Sequence, residues 1–279
     1  MGKVAPEASW VACLGYWLWM SLGGCATAPQ VKAVQEPSAK LEEKMAEEPA
    51  VVAPSALAEA TVIALSSLRS DTANYDWFDF RPGVKKLILS GTPESRHVSV
   101  LWYGAEGKPG AVPLHYHDKT ESIFVIEGSQ SDAKGTYGKG SFYFNPPGSG
   151  HNVFDSSGLF LLSYAAPPDF KRTEDIVPYE SVKIGADYAQ LPFVPCADGS
   201  LCYALPLVES GGMRSRLVKP QAGPLDLQAN VLLILQGSCM VGDQALAADT
   251  LVVSKGVDPA AYRVAAGAPE CMLMELAFQ

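Results

Sequence analysis

Hydrophobic residues come in short runs along most of this chain. From residue 61 onward, runs of four to six residues rich in apolar side chains alternate with clusters of Gly, Pro, Asn and Asp, as at 86–89, 97–102, 122–126 and 141–144. No helical period of apolar residues separates these runs, and the pattern is typical of an all-β sandwich or barrel. We therefore predict an all-β fold.

The pattern of runs occurs twice. The segment 231–237 echoes 122–128, and 250–256 echoes 142–148, with one residue deleted between the two blocks. A repeat of this length predicts two similar β halves with a boundary near residues 171–186. The halves are assigned to residues 61–175 and 176–279.

One of these runs allows a finer prediction about which side chains are buried together. Side chains alternate between the two faces of a strand. In the run after Glu121, Ile123 and Val125 should face inward and line a pocket, whereas Phe124 and Ile126 should pack on the outer face.

The N-terminal region differs from the rest of the chain. An apolar run over 10–22 is short for a membrane span, which needs about 20 residues, and suits the core of a signal peptide. The string that follows, Leu22-Gly23-Gly24-Cys25, resembles a bacterial lipobox, in which the cysteine is lipidated and becomes the mature N-terminus. The alternative is an ordinary secretory peptide with an incidental cysteine.

The lipobox resemblance implies an exported protein that a lipid on Cys25 holds at the cell envelope. Ala26 and Thr27 resemble the pattern that directs lipoproteins to the outer membrane in hosts with two membranes, on its periplasmic side. Residues 26–60 contain mostly Ala, Pro, Glu, Lys and Val and no aromatic residue, which predicts a disordered tether.

The overall charge argues against one class of partner. The formal net charge is −9, and the 21 Lys and Arg residues are scattered without a basic cluster. The electrostatic footprint of a nucleic-acid-binding protein is therefore missing, and no nucleic-acid partner is expected.

Four cysteines lie in the part predicted to fold. In an oxidising compartment an even number of thiols can pair. Cys196 and Cys202 bracket a turn-like loop and would close a small ring, which would leave Cys239 and Cys271 for each other. The alternative is four buried free thiols, because connectivity cannot be read from sequence.

The candidate chemistry lies in the first half. His115 and His117 share one face of a strand because side chains alternate, and Glu121 has the same parity and joins them if the strand bends. A turn rich in Pro and Gly then delivers His151 at the start of a later strand. The fourth histidine of the chain, His97, is interpreted as a surface or hydrogen-bonded residue and not as a ligand.

Three imidazoles and one carboxylate suit one borderline divalent ion and leave coordination positions open for water or a ligand. Zinc is the expected ion, because an oxidising compartment disfavours labile Fe(II); Mn, Fe, Ni and Cu are the alternatives. Asp155 shares parity with His151 and is a candidate hydrogen-bond partner behind the ligands, or else part of a strand-end turn.

These blocks resemble the two signature motifs of the cupin superfamily, G(X)5HXH(X)3,4E(X)6G and G(X)5PXG(X)2H(X)3N. Every spacing agrees from His115 to Gly128 and from Gly140 to His151. Two positions depart from the motifs: Gly110 lies one residue too close to His115, and Asp155 replaces the final Asn. The resemblance implies jelly-roll β-barrels and a metal site in the first of two cupin halves.

A closer resemblance is to ChrR-type cupins, over about residues 76–165, carried by Ser131-Asp132, Gly135, Tyr137-Gly138 and the turn before His151. In that family the cupin domain of an anti-sigma factor looks zinc-loaded, and relatives include dioxygenases that cleave small diketones. The anti-sigma factor has a further N-terminal zinc-binding domain. This chain has a predicted signal peptide and tether there, so transcriptional control is not implied.

The second half has no comparable ligand set. Anchoring Gly237 on Gly128 aligns Pro224, Asp226 and Asn230 with the first three ligands, and Pro259 falls near the position of His151. We expect this half to support the fold by packing, with a second ligand pocket as the alternative.

Two classes of function remain open. A purely structural lipoprotein is a third possibility, but it would leave the ligand set unexplained. One is a metal-dependent enzyme, such as a dioxygenase, hydrolase or isomerase, acting on a small organic molecule. The other is a non-catalytic binder of a metal or small ligand, in which the metal also stabilises the barrel. No separate catalytic acid or base stands out. A homodimer formed through the outer sheets is a further possibility.

Overall fold

The computed structural model describes residues 57–105, 107, 110–167, 171–172, 185–205, 211–221, 223–267 and 270–279. The predicted signal peptide, Cys25 and most of the tether lie outside the described residues, as does most of the predicted boundary near 171–186. Across the described ranges, no helix has both the length and the apolar character needed to cross a bilayer.

The described residues are almost entirely β-structure, as the sequence predicts. One short α-helix, α1 (Ser67–Ser70), and two 3-10 helices, Thr72–Asn74 and Tyr188–Gln190, accompany twenty strands. In chain order the strands are β1 (Ala60–Ala64), β2 (Phe78–Arg81), β3 (Val84–Gly91), β4 (His97–Tyr103), β5 (Gly110–Tyr116), β6 (Glu121–Asp132), β7 (Gly135–Gly138), β8 (Phe142–Asn145), β9 (His151–Tyr164), β10 (Lys171–Arg172), β11 (Val194–Pro195), β12 (Leu201–Ala204), β13 (Met213–Lys219), β14 (Leu225–Ala229), β15 (Val231–Gln236), β16 (Ser238–Val241), β17 (Gln244–Ala247), β18 (Thr250–Ser254), β19 (Ala260–Ala266) and β20 (Met272–Phe278).

The first half is organised around the long strand β9. The first part of β9 pairs with β5, its later part pairs with β4, and β6 runs antiparallel along most of its other edge. The strand order β10-β5-β9-β4-β3-β2, with β6 also pairing β7 and β8, makes one nine-stranded sheet. Because one strand serves two edges, the sheet curls toward a barrel.

Two glycines allow β6 and β9 to approach closely where they bend. Gly128 has φ +77° and Gly158 has φ +125°, which are backbone conformations that other residues rarely adopt. A Cβ on Gly128 would collide with the carbonyl oxygen of Ser157, and one on Gly158 with that of Glu127. The last glycine of the first motif is therefore required by backbone packing and not by the metal ligands.

The second half has a similar arrangement of strands, and it includes β1, which precedes the strands of the first half in sequence. Its sheets have the orders β1-β18-β15-β20-β13-β12-β11 and β14-β19-β16-β17. β1 pairs antiparallel with β18, with Ala60 opposite Ser254. The segment assigned to the first half by sequence thus begins with a strand that is hydrogen-bonded into the sheet of the second half.

The predicted tether, 26–60, extends too far along the chain, because its last residues already belong to the folded part. Leu57 and Ala60 are each only 9% exposed and pack into the core of the second half. Burial of these apolar side chains orders the last residues of the predicted tether, which then lead directly into β1.

Three clusters of buried side chains make up the core. Ile123 and Val125 lie in the cluster inside the first barrel. Phe124 and Ile126 lie in a cluster shared with Val231 of the second half. The inward and outward assignment made from strand alternation is confirmed, and the outer face of β6 belongs to a core that both halves share.

Both cysteine pairs considered from the sequence are joined in the structure. Cys196 is bonded to Cys202 and Cys239 to Cys271, with Cα–Cα distances of 6.0 and 5.0 Å. Cys239 and Cys271 are fully buried in the core of the second half. The second bond crosslinks segments 32 residues apart in sequence.

Candidate metal centre

The four predicted ligands come from three strands and one strand end. His115 lies near the end of β5 and is the register partner of His151, the first residue of β9. His117 follows β5 directly, and Glu121 is the first residue of β6. The pairing of β5 with β9 therefore brings together residues that are far apart in sequence.

The structure brings the three histidines together in a buried group. One ring nitrogen from each of His115, His117 and His151 lies within 4.8 Å of the others, and each residue is only 5% exposed. Glu121, also 5% exposed, places Oε2 3.1 Å from Nε2 of His151. All four residues are thus gathered at one place, with the carboxylate at the edge of the imidazole group.

Backbone carbonyls orient two of the rings. Nδ1 of His115 donates to the carbonyl oxygen of Pro113 at 2.7 Å, and Nδ1 of His151 donates to that of Ser149 at 3.0 Å. Because each Nδ1 donates to a carbonyl oxygen, Nε2 is the nitrogen left for a ligand, and it can bind a metal ion once it carries no proton. This second hydrogen bond is the usual way that a protein fixes the tautomer of a metal-binding histidine. The residues present therefore fit a metal ion.

Burial and mutual charge set the protonation of the group. Burial, followed by the neighbouring His151, lowers the pKa of His115 to about 4. Burial alone would raise the pKa of Glu121, but the hydrogen bond from His151 and the charges of the histidines lower it below its ordinary value. The same contact raises the pKa of His151 against the effect of burial. Glu121 and His151 thus share a proton, and a bound metal cation would displace that proton.

Asn145 is a site residue that the sequence analysis missed. It is 3% exposed, and its Nδ2 donates to Oε2 of Glu121 at 2.6 Å. Asn145 ends β8 and is the register partner of Glu121 on β6. The sequence did contain a signal for this role. Asn145 lies inside the second motif, on the same strand face as Tyr143, and a polar residue at such an inward position needs a polar neighbour.

The predicted role of Asp155 is wrong. Asp155 is exposed and has φ +46°, in the left-handed region. It lies where β9 loses regular register with β6, so its carboxylate points to solvent and not toward His151. Asp and Asn tolerate this backbone conformation better than most residues, which explains why Asp can stand where the motif has Asn.

His97 is a hydrogen-bonded core residue, one of the two readings given by the sequence. It is fully buried, with Nδ1 2.8 Å from the carbonyl oxygen of Ser95 and Nε2 2.9 Å from Nζ of Lys86. Burial, together with the Lys86 charge, lowers the pKa of His97 to about 4. It is not a ligand, although its ring lies 5.0 Å from that of Tyr164.

In the second half a neutral pair replaces the ligands. Asn230 is fully buried; its Nδ2 donates to Ser254 and its Oδ1 accepts from the backbone N–H of Phe278. Asn230 and Ser254 mirror Glu121 and Asn145. Pro224 and Asp226 are exposed, Pro259 is half-buried, and a cluster of buried hydrophobic side chains forms a core in this half. These contacts support the structural role expected for this half.

A small cavity lies beside the candidate ligands, with a volume of about 20 Å³ for water-sized molecules. His115, Glu121 and His151 form one part of its lining, and apolar side chains such as Leu101 and Ile123 form another. Its remaining polar residues are Arg81, Gln130, Asp132, Tyr143, Asn145 and Asn152. A bound ion would therefore have space on this side for water or for a ligand group of similar size.

The fold and site define a β-barrel protein with a histidine group that could hold a metal ion. Residues 66–167 match the family model described as the ChrR cupin-like domain. The match includes all four candidate ligands and the segment over which the resemblance was read from sequence. No curated protein sequence matches this chain.

Two solved structures are similar in fold. One is a provisionally named dioxygenase from Nostoc punctiforme PCC 73102, 13% identical with a TM-score of 0.53, over 79% of this chain and 83% of that one. The other is salicylate 1,2-dioxygenase from Pseudoaminobacter salicylatoxidans in adducts with gentisate, 11% identical with a TM-score of 0.50, over 78% of this chain and 81% of that one. Each alignment spans more of this chain than either half contains, so the likeness in fold extends over both.

Proposed function

We propose that this protein binds one divalent metal ion through His115, His117, His151 and Glu121 and presents that ion to a small organic ligand. The observation that carries the proposal is the buried group of three imidazoles at the wall of a cavity. Zinc is the proposed ion, because a donor set of nitrogens and one carboxylate oxygen suits it.

Each part of the site has a separate task. Backbone carbonyls hold His115 and His151 in the tautomer that turns Nε2 inward. Asn145 holds the carboxylate of Glu121, and apolar residues of the barrel form part of the cavity wall. A bound ion would polarise a ligand oxygen or activate water.

A dioxygenase is the second candidate. The cavity beside the site favours it, since a reaction at a metal needs open positions and space for the substrate. The two solved structures named above are described as dioxygenases, but their low identity makes them a reason to test the activity and no more. A non-catalytic metal or ligand binder would use the same residues.

Metal content tests the proposal. Purified wild-type protein is expected to hold about one equivalent of metal, and His117→Ala and Glu121→Ala are expected to weaken binding at least about 100-fold. His97→Gln is the matched control, because His97 is the one histidine outside the group. Folding of each variant is checked by circular dichroism. Wild-type protein that takes up no metal from a mixture of divalent ions would refute the proposal.

Oxygen uptake distinguishes an enzyme from a binder. Protein loaded with Fe(II) is given small diketones, and uptake that is lost in Glu121→Ala supports a dioxygenase. A tightly held zinc with no turnover on any metal supports the binder.

We also propose that the protein is exported and anchored by a lipid on Cys25, on the periplasmic side of the outer membrane where the host has one. The lipobox resemblance carries this proposal, and the two disulfides of the folded part support an oxidising compartment. In cells, the wild type is expected in the membrane fraction and Cys25→Ala in the soluble envelope fraction. Cys13→Ala is the control and should remain with membranes. A Cys25→Ala protein that stays membrane-bound would contradict lipid anchoring at this residue.

A further inference from the structure

A short loop connects two of the candidate ligands. His117 directly follows β5, Glu121 begins β6, and residues 118–120 between them belong to no strand. The residues 117–121 form the ligand loop. The positions of both ligands depend on what holds this loop, because ligand atoms must lie within about 0.2 Å of their proper distance from a metal ion.

Among the described residues, three backbone hydrogen bonds outside the strand ladders hold the ligand loop. The N–H of Gly148 donates to the carbonyl oxygen of His117 at 2.8 Å, and that of Ala165 donates to the carbonyl oxygen of Thr120 at 3.1 Å. In the third bond the N–H of Thr120 donates to the carbonyl oxygen of Gly211 at 3.2 Å. Gly148 and Ala165 belong to the first half, whereas Gly211 belongs to the second. One of these supports thus comes from the half that lacks the ligand set.

Gly211 packs against Thr120 too closely for a side chain to fit between them. A Cβ at position 211 would lie 2.1 Å from Oγ1 of Thr120 and 3.2 Å from its Cβ. Gly211 does not have a positive φ, so the contact requires glycine here and the backbone conformation does not. Both residues are buried, and the side chain of Thr is stiff because it branches at Cβ. A collision would therefore move the ligand loop.

The segment that contains Gly211 is itself held by the sheet of the second half. It leads directly into β13, whose first residue, Met213, pairs with Phe278 of β20. The N–H of Gln279 donates to the carbonyl oxygen of Gly212 at 3.0 Å. The second half therefore presents a fixed surface to the ligand loop.

We propose that the second half completes the metal centre of the first, with Gly211 as a positioning residue for the ligand loop, an inference that rests on the metal site proposed above. Gly211 acts through Thr120: its carbonyl oxygen accepts the Thr120 N–H, and its lack of a side chain sets how closely the two backbones approach. The position of Thr120 then fixes the separation of His117 and Glu121. The half without the ligand set thus has a task at the site itself, in addition to its contribution to the shared core.

Gly211→Ala tests this role, and Gly256→Ala is the matched control. Gly256 also lies in the second half, but a Cβ there would have its nearest neighbour at 3.9 Å, which is an ordinary contact. Co(II) binding is followed by the visible absorption of the bound ion, which also reports the geometry of its ligands. Gly211→Ala is expected to weaken Co(II) binding by about 10- to 100-fold and to change the spectrum at saturation, whereas Gly256→Ala should bind within about twofold of the wild type. Unchanged binding in Gly211→Ala, or an equal loss in Gly256→Ala, would overturn the proposal.

A second substitution shows whether the effect passes through Thr120. Thr120→Ala removes the oxygen with which a Cβ at position 211 collides, and the nearest remaining atom lies at 3.2 Å. Oγ1 of Thr120 has no hydrogen-bond partner among the described residues, so its removal breaks no bond that the structure shows. Binding by the double variant should therefore lie within about threefold of binding by Thr120→Ala alone. A loss as large as in the wild-type background would mean that alanine at position 211 acts elsewhere, and the positioning role would be wrong.

One further measurement uses the wild type and does not depend on the folding of any variant. The backbone amide of Thr120 should exchange slowly with deuterium, as followed by NMR, because Gly211 accepts its hydrogen bond. Exchange as fast as in an unstructured chain would contradict the contact. Wild-type protein that binds no Co(II) refutes the metal site, and this inference with it. Co(II) binding that Gly211→Ala leaves intact refutes only the role of Gly211.

Discussion

Replacing Phe160 by alanine should lower the free energy of unfolding by about 3–5 kcal/mol. Phe160 is fully buried in the middle of β9, the strand that pairs with β4, β5 and β6. Its ring packs edge-on against Tyr103 with the centroids 5.3 Å apart. Truncation leaves a void inside the first barrel, because strands on both sides hold the backbone in place. Chemical denaturation followed by tryptophan fluorescence measures the loss.

Phe154→Ala is the matched control for this prediction. Phe154 lies on the same strand and is 42% exposed. Its truncation should change stability by less than about 0.5 kcal/mol. Similar losses in the two variants would mean that the interior of the first barrel is not packed around Phe160. The Phe160→Ala variant should also bind metal more weakly, since Tyr103 lines the cavity beside the ligands.

The second large effect is expected from the disulfide between Cys239 and Cys271. A double Cys→Ala variant of this pair should lose roughly 3.5 kcal/mol, because the bond closes a loop of 32 residues in the unfolded chain. Both cysteines are fully buried, so alanine also leaves small voids in the core of the second half. The unfolding midpoint of protein isolated under oxidising conditions measures this loss.

The other disulfide provides the comparison. Cys196 and Cys202 are separated by only six residues, and the double Cys→Ala variant of this pair should lose about 2.5 kcal/mol or less. Reduction of the wild type should reproduce the part of the two losses that comes from loop closure, because the thiols still fill the space that alanine leaves empty. If the Cys239 and Cys271 variant were as stable as the wild type, the bond between them would not form in the purified protein.

Metal retention should be unaffected by the change at Cys196 and Cys202. Both residues lie in the second half, Cys196 directly after β11 and Cys202 on β12, and the candidate ligands are all in the first half. A loss of metal in that variant would show that the halves are coupled more strongly than their shared core suggests.

Local patterns in the sequence were sufficient for much of the fold. Alternation along β6 separates Ile123 and Val125 inside the barrel from Phe124 and Ile126 at the contact with the second half. His115 of β5 and His117, directly after that strand, share a face for the same reason. The spacing from Gly140 to His151 places a turn before β9, and pairing of β5 with β9 then sets His151 opposite His115.

Other features depend on contacts between distant segments. β1 pairs with β18 of the second half, which is distant in sequence. No local pattern in the sequence indicates this pairing. Asp155 had the parity expected of a partner to His151, but a break in register turned it outward. Leu57 carries no strand pattern, and only the core that it enters makes it ordered.

By itself, the sequence determined the all-β class, the repeat and the four candidate ligands, because strand alternation and turn chemistry act over a few residues. Only the tertiary structure decided which side chains surround those ligands. Asn145, Gln130 and Arg81 come from three different strands, and they meet at one cavity because the sheet closes on itself with a particular register. That register is set by packing across the whole barrel.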